Sequence, residues 1–158
     1  MNNNHKIAVF PGSFDPITLG HCDIVFSALR LFDKIIIAIG DNSKKKSMFS
    51  IEKRKIWIYK TFLNKCSKIE VDSFNGLTIS FCIKKKVKFL LRGIRNHLDF
   101  EFEKEMFFFN KKLNKNSKIE TICIFSSYDN FFIRSSMVRD VMKKGGNYTV
   151  FVPQSVRI

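Results

Sequence analysis

The run Ile35-Ile36-Ile37-Ala38-Ile39 is apolar at every position, rich in β-branched residues and closed by Gly40-Asp41-Asn42. Such a run reads as a buried strand. Ile7 to Phe10 is a second one, closed by Pro11-Gly12. Between them, Cys22 to Phe32 carries Ile24, Val25, Ala28, Leu29 and Phe32 at the spacing of a helix that faces one surface. The chain therefore opens as strand, helix, strand.

The pattern continues. Ser50 to Leu63 reads as a helix with Ser50 at its N-cap. Lys53 stands where a capping box wants Glu, so Ser50 caps alone. Ile69 to Asp72 is strand-like, Leu77 to Lys85 helical, and Val87 to Leu91 a strand ending in Arg92-Gly93. His97 to Leu113 is a long helical stretch rich in phenylalanine, Ile119 to Phe125 a strand, and Ser135 to Lys144 a helix stopped by Gly145-Gly146. Alternating strands and helices predict an α/β fold, a Rossmann-like doubly wound parallel sheet with helices on both faces. With 158 residues and no repeat, linker or composition shift, residues 1–158 form one domain. Phe107-Phe108-Phe109 exceed what one helix face buries in a small monomer, so that stretch serves a subunit contact or the core.

Composition excludes several classes. No apolar run approaches the roughly 20 residues needed to span a bilayer, and Met1 to Lys6 is too short and polar for a signal peptide, which predicts a cytoplasmic protein without a membrane partner. Cys22, Cys66, Cys82 and Cys123 form no Cys-x-x-Cys pair and have no His at ligand spacing, so they read as reduced, mostly buried thiols rather than a metal site. The net charge of +14 raises nucleic acid as a partner. Against it, lysines are scattered through every segment, beside abundant Asn, Ile and Phe, as a genome of biased base composition would produce. No aromatic-basic interleaving supports a nucleic-acid reader, and none is predicted. A non-catalytic basic nucleic-acid-binding domain stays as the contrasting reading.

Ligands of a parallel α/β sheet collect beyond the carboxyl ends of the strands. There the first strand is followed by Pro11-Gly12-Ser13-Phe14-Asp15-Pro16-Ile17-Thr18-Leu19-Gly20-His21, running into a helix. Gly12 and Gly20 let backbone approach a ligand, and His21 falls at a helix N-terminus, where free N–H groups favour an anion. Neutral or protonated, His21 can donate to a phosphate oxygen as charge builds on it. The contrasting role is that of a capping or merely exposed histidine.

This string resembles the T/H-x-G-H signature of the nucleotidylyltransferase superfamily, and Pro11 to Thr18 is close to its phosphopantetheine adenylyltransferase branch. Ser47 to Arg54, Leu91-Arg92-Gly93-Ile94-Arg95, Asp99-Phe100-Glu101-Phe102-Glu103 and Ile133-Arg134-Ser135-Ser136-Met137-Val138-Arg139 follow in that family's order and approximate spacing, so the resemblance covers nearly the whole chain. It implies that a phosphate oxygen of 4′-phosphopantetheine attacks the α-phosphorus of ATP, giving dephospho-coenzyme A and pyrophosphate. The nucleophile is already an anion, so no general base is required, and catalysis comes from positioning and charge neutralisation. A relative acting on nicotinate mononucleotide is the alternative within the superfamily.

By the same resemblance, His21 stabilises the transferring phosphate. Ser13, Lys45, Thr78 and Arg92 bind the acceptor, with Lys45 selected from Lys44 to Lys46 by its spacing to Met48-Phe49. Ser13, Phe14, His21, Gly93, Ile94, Arg95, Glu103 and the segment Asn130, Phe131, Phe132, Ile133, Arg134, Ser135 and Ser136 bind ATP. Glu103 reads the nucleoside or is an ordinary surface residue. Ser13 stands where the family has Thr, Ser47 where it has Pro, Arg134 where it has a small hydroxyl residue, and Thr78 where a larger apolar residue lines the pantetheine channel. Magnesium is implied as a cofactor carried mainly by the ATP phosphates, with no protein ligand named. A homo-oligomer, typically a hexamer, is implied as the assembly.

Overall fold

The structure is a computed structural model that describes residues 5–41, 46–65, 67–113 and 118–157. Five strands, β1 (Ile7–Gly12), β2 (Lys34–Asp41), β3 (Ile69–Asn75), β4 (Phe89–Ile94) and β5 (Glu120–Phe125), form one sheet in the order β3-β2-β1-β4-β5. Every neighbouring pair is parallel. The helices α1 (Leu19–Ala28), α2 (Ile51–Thr61), α3 (Thr78–Lys84), α4 (His97–Leu113) and α5 (Ser135–Lys143) connect and flank it. This is the α/β doubly wound arrangement expected from the sequence.

The continuous apolar run in β2 is explained by two cores, one on each face. Ile35, Ile37 and Ile39 join Ala8 and Phe10 in a large core completed by Val25 of α1, Ile58 of α2, Val138 of α5 and the terminal Val152 and Val156. Ile36 and Ala38 point the other way, with Val9 and Leu90, into a smaller core closed by Ile79 and Cys82 of α3. A strand covered on both faces has no polar side to show.

Most boundaries fall within a few residues of expectation, and the shifts have causes. Ser50 caps α2 alone, accepting from the Lys53 N–H at 3.2 Å. Helix α1 begins at Leu19, ahead of the expected Cys22, because Thr18 caps it. It ends at Ala28, where Arg30 and Leu31 N–H groups turn back to Ser27 and Ala28 carbonyls. Strand β4 starts later than expected because Val87 still belongs to the end of α3: its N–H bonds the Cys82 carbonyl at 3.1 Å around Lys86 at φ +55°. Arg92 and Gly93 lie inside β4, opposite Cys123 and Ile124 of β5, rather than after a strand. Gly145, at φ +70°, stops α5 as anticipated.

The thiols divide. Burial and the neighbouring Asp23 push the Cys22 pKa up to about 12, and burial pushes Cys82 up to about 11, so both are inert. Cys123 departs from the expected burial: it lies on the edge strand β5 and is exposed. Cys66 lies outside the described residues.

Because Ile37 is fully buried in the strand beside the sheet's centre, Ile37→Ala should destabilise the fold by about 2–5 kcal/mol and Ile37→Val by about 0.5–1.5 kcal/mol in urea unfolding. Equal small losses from both would show that this side chain is not enclosed as described.

Candidate active site

β1 sits at the centre of the sheet, with β2 on one side and β4 on the other. From β1 the chain winds to β2 and β3 on one side and then crosses by α3 to β4 and β5 on the other, and this reversal opens a crevice beyond the carboxyl end of β1. Three connected cavities lie there. A first cleft of about 810 Å³ is lined by Gly12, Ser13, Asp15, Asp41, Lys46, Ser47, Gly76, Thr78, Arg92 and Arg139. A second, of about 430 Å³, is lined by Ser13, Thr18, His21, Gly93, Arg95, Glu103, Ser126, Ile133, Arg134, Ser135, Ser136 and Arg139. A narrower slot of about 270 Å³ runs between α3 and α4, walled by Leu77, Leu90, Met106, Phe107 and Phe109, with Thr78, Asn110 and Thr121 as polar groups. Arg92 borders all three.

The Thr-x-Gly-His string has a local physical logic. Thr18 is the N-cap of α1, and its hydroxyl accepts the His21 N–H at 3.4 Å. The His21 ring returns as the other half of a capping box: the Thr18 backbone N–H donates to His21 Nδ1 at 3.1 Å. A backbone donor on Nδ1 makes that nitrogen the acceptor and assigns the proton to Nε2. Burial, then the nearby Arg95 charge, lower the His21 pKa to about 4. The histidine is therefore neutral near pH 7, and capping leaves its Nε2–H free to donate. Gly20 is favoured by close approach, since a Cβ there would stand 3.2 Å from the Asn130 carbonyl oxygen.

Three arginines of the crevice, Arg92, Arg95 and Arg139, are held from behind. Glu103, only 8% exposed, takes Arg92 Nε at 2.8 Å and Nη2 at 2.6 Å, a two-point grip, while Arg92 Nη1 reaches the Pro11 carbonyl at 3.4 Å. That burial rules out the surface role weighed for Glu103. Asp99 holds Arg95 through Nε at 2.9 Å and Nη2 at 3.1 Å, and also accepts the Arg95 backbone N–H. Burial pulls the Asp99 pKa upward, but the Arg95 hydrogen bonds outweigh it and keep the carboxyl below its ordinary value. Arg139 donates from Nη1 to the Asp15 carbonyl at 2.7 Å.

Of the residues singled out from sequence, Ser13, Thr78 and Arg92 line the first cleft. Ser13, His21, Gly93, Arg95, Glu103, Ile133, Arg134, Ser135 and Ser136 line the second. Gly93 serves packing as well as access, because a Cβ would meet Ile24 at 3.1 Å. Phe14 and Ile94 turn their side chains into the core, Phe14 against the His21 ring at 5.0 Å. Asn130 donates to Asp23 at 2.8 Å, and Phe131 and Phe132 are half exposed beside one another. The side chains of these five wall neither cleft. Lys44 and Lys45 lie outside the described residues, whereas Lys46 lines the first cleft.

Sequence reasoning passed over Asp15, Arg139, Ser126 and the slot residues other than Thr78. Ser126 directly follows β5, so the strand-end rule that highlighted Ser13 would have found it. Its buried hydroxyl, on the wall of the second cleft, has no protein partner among the described residues. Asp15 and Arg139 gain their places only through contacts distant in sequence.

Comparison with known proteins agrees with this geometry. Residues 9–141 match the model of the cytidylyltransferase-like family. The phosphopantetheine adenylyltransferase of Flavobacterium psychrophilum is 53% identical over 151 residues, covering 96% of this chain and 97% of the relative. That of Nautilia profundicola is 44% identical over 149 residues, covering 94% of this chain and 95% of the relative. Among solved structures, a provisionally assigned nicotinate-nucleotide adenylyltransferase from Vibrio parahaemolyticus superposes with a TM-score of 0.69 at 16% identity, over 96% of this chain and 89% of that one, a likeness of fold alone. The chain belongs to the phosphopantetheine adenylyltransferase family within the cytidylyltransferase-like nucleotidyltransferases.

Proposed function

We propose that this protein transfers the adenylyl group of ATP to 4′-phosphopantetheine, giving dephospho-coenzyme A and pyrophosphate in coenzyme A biosynthesis. The observation that carries the mechanism is Arg92, held by Glu103 at the meeting point of two clefts and an apolar slot. One transferred phosphorus must there meet two anionic partners.

ATP occupies the second cleft. Its phosphates lie toward the start of α5, where Ser135 and Ser136 stand, and toward Arg95 and Arg134. Ser126 offers its unmet hydroxyl to the nucleotide. 4′-Phosphopantetheine occupies the first cleft and the slot: its phosphate lies near Ser13, Lys46 and Arg92, and its arm runs between α3 and α4, where apolar walls meet its methyl groups and Asn110 and Thr121 meet its amides. By family resemblance Lys45 also serves the acceptor phosphate.

The acceptor phosphate oxygen forms a bond to the α-phosphorus as the bond from that phosphorus to the bridging oxygen of pyrophosphate breaks. Pyrophosphate leaves with the electron pair. His21 donates Nε2–H to the α-phosphate as charge builds, and Arg92, Arg95 and Arg139 neutralise the crowded oxygens. Glu103 acts through Arg92. Magnesium enters with ATP as part of the substrate. Among the described residues no three His, Cys, Asp or Glu side chains stand close enough to cage a metal, and the clefts are rich in cations and hydroxyls, which suits an ion held by nucleotide phosphates and water.

The reading includes a cytoplasmic location, because both phosphorylated substrates are too polar to cross a bilayer unaided. No helix among the described residues is long and apolar enough to span a membrane. It also includes a homo-oligomer, a hexamer by family resemblance. Exposed Leu98, Phe108 and Phe109 on α4 and the 76% exposed Phe125 on β5 support it, as more apolar surface than a small monomer usually shows water. Light scattering should give the mass of an oligomer, and a monomer at micromolar concentration would remove that part.

Pyrophosphate release should require ATP, magnesium and 4′-phosphopantetheine, and should be absent with nicotinate mononucleotide. His21→Ala should lower kcat by roughly 10²–10³ with a smaller change in KM, as for loss of one transition-state donor. Turnover of nicotinate mononucleotide instead would replace the acceptor and keep the fold.

The pH dependence follows from His21. Its folded pKa, about 4, lies below its unfolded value near 6.5. Stability linked to it is therefore present above pH 6.5 and lost as pH falls toward 4. Nuclear magnetic resonance should show His21 titrating below pH 5. The acid limb of kcat/KM should fall near pH 6, where the substrate phosphomonoester takes up its proton, and should persist in His21→Ala. A limb that disappears in that variant would assign the titration to His21.

A further inference from the structure

Asp15 is 4% exposed, and among the described residues its hydrogen bonds reach outside its own turn. Its carboxylate accepts two consecutive backbone N–H groups, Met48 on Oδ2 at 2.8 Å and Phe49 on Oδ1 at 3.0 Å. Its backbone carbonyl accepts Arg139 Nη1, which also stands 3.8 Å from Oδ2. The turn that carries it is braced on both flanks: buried Arg54 of α2 donates to the Ser13 carbonyl at 2.7 Å, and Ser135 of α5 donates to the Pro16 carbonyl at 2.8 Å. A buried carboxylate is costly unless hydrogen bonds satisfy it, and here two backbone donors and a nearby guanidinium do so.

The segment it grips is the wall of the first cleft. Lys46 and Ser47 line that cleft, and the amides held by Asp15 are those of the next two residues. Beyond them, Phe49 packs edge-on against Trp57 at 4.7 Å, so the far side of the segment is fastened to α2. Among the described residues the Asp15 carboxylate is the acceptor for both N–H groups.

We propose that Asp15 is a positioning residue that sets substrate affinity on one side of the crevice: by clamping residues 46–49 to the rigid turn after β1, it holds Lys46 and Ser47 at the acceptor phosphate. This rests on the function proposed above and adds to it a division of labour, because Asp15 borders the first cleft and not the second.

Asp15→Asn replaces one accepting oxygen with an amide that cannot accept from a backbone N–H. Hydrogen exchange resolved to Met48 and Phe49 should lose protection at both, while protection in the sheet stays. In steady-state kinetics the KM for 4′-phosphopantetheine should rise about tenfold and that for ATP less than about twofold. Lys46→Ala should raise the acceptor KM by itself, and Asp15→Asn should add little on top of it. Unchanged protection at Met48 and Phe49, equal rises in both KM values, or lost stability with unchanged KM values would overturn the proposal. If Asp15→Asn does not fold, an unchanged acceptor KM in Lys46→Ala overturns it instead. Absence of turnover in the unmodified enzyme would count against the assigned reaction, and the exchange experiment would still test the clamp.

Discussion

A strand flanked on both sides by parallel neighbours, with the chain winding first to one side of it and then crossing to the other, is the constraint from which the rest of this molecule follows. β1 occupies that place, and its carboxyl end cannot be covered by the helices that cover the faces. The sheet itself needs no further explanation than its two apolar faces, one packed by α1, α2 and α5, the other by α3. What the arrangement leaves open is a single crevice, and residues from widely separated stretches of chain reach it.

The electrostatic problem in that crevice is to gather cations before any anion arrives. Arg92, Arg95 and Arg139 would repel one another and sample many rotamers if left alone. Each is tied to an acceptor behind it: Arg92 to Glu103, Arg95 to Asp99, Arg139 to the Asp15 carbonyl. The acids offset part of the charge and fix the geometry, so little reorganisation remains when phosphate binds. His21 follows the same rule by other means. Its ring is locked by the capping of α1 and kept neutral by burial, so it is a directed donor whose charge does not change near pH 7.

Much of the sheet was readable beforehand because buried strands in a parallel sheet are continuous apolar runs, and β2 is the plainest case. The start of β4 was misplaced for a reason that no local pattern reveals. There a helix ending, not a strand, used Val87, and nothing in local hydrophobicity separates the two. Cys123 misled for a related reason: on an edge strand an apolar-looking segment keeps one side in water. In the site, residues carried on short strings after strands, such as Ser13, His21 and Ser135, were identifiable because the string and its place in the fold coincide. Phe14, Ile94, Phe131 and Phe132 belong to those strings yet direct their side chains away from the clefts.

By itself the sequence determined the alternation of strands and helices, the turn-to-helix string that ends in His21, and membership of a family whose motifs recur in order. These are local properties, set by side-chain period, capping chemistry and residue type over a few neighbouring positions. Tertiary structure alone decided which nitrogen of His21 carries the proton, that Glu103 grips Arg92, that an apolar slot opens between α3 and α4, and that Asp15 binds amides more than thirty residues away. The physical reason is the same in each case. Burial and hydrogen-bond partners are properties of residues brought together by folding, and no spacing along the chain encodes them.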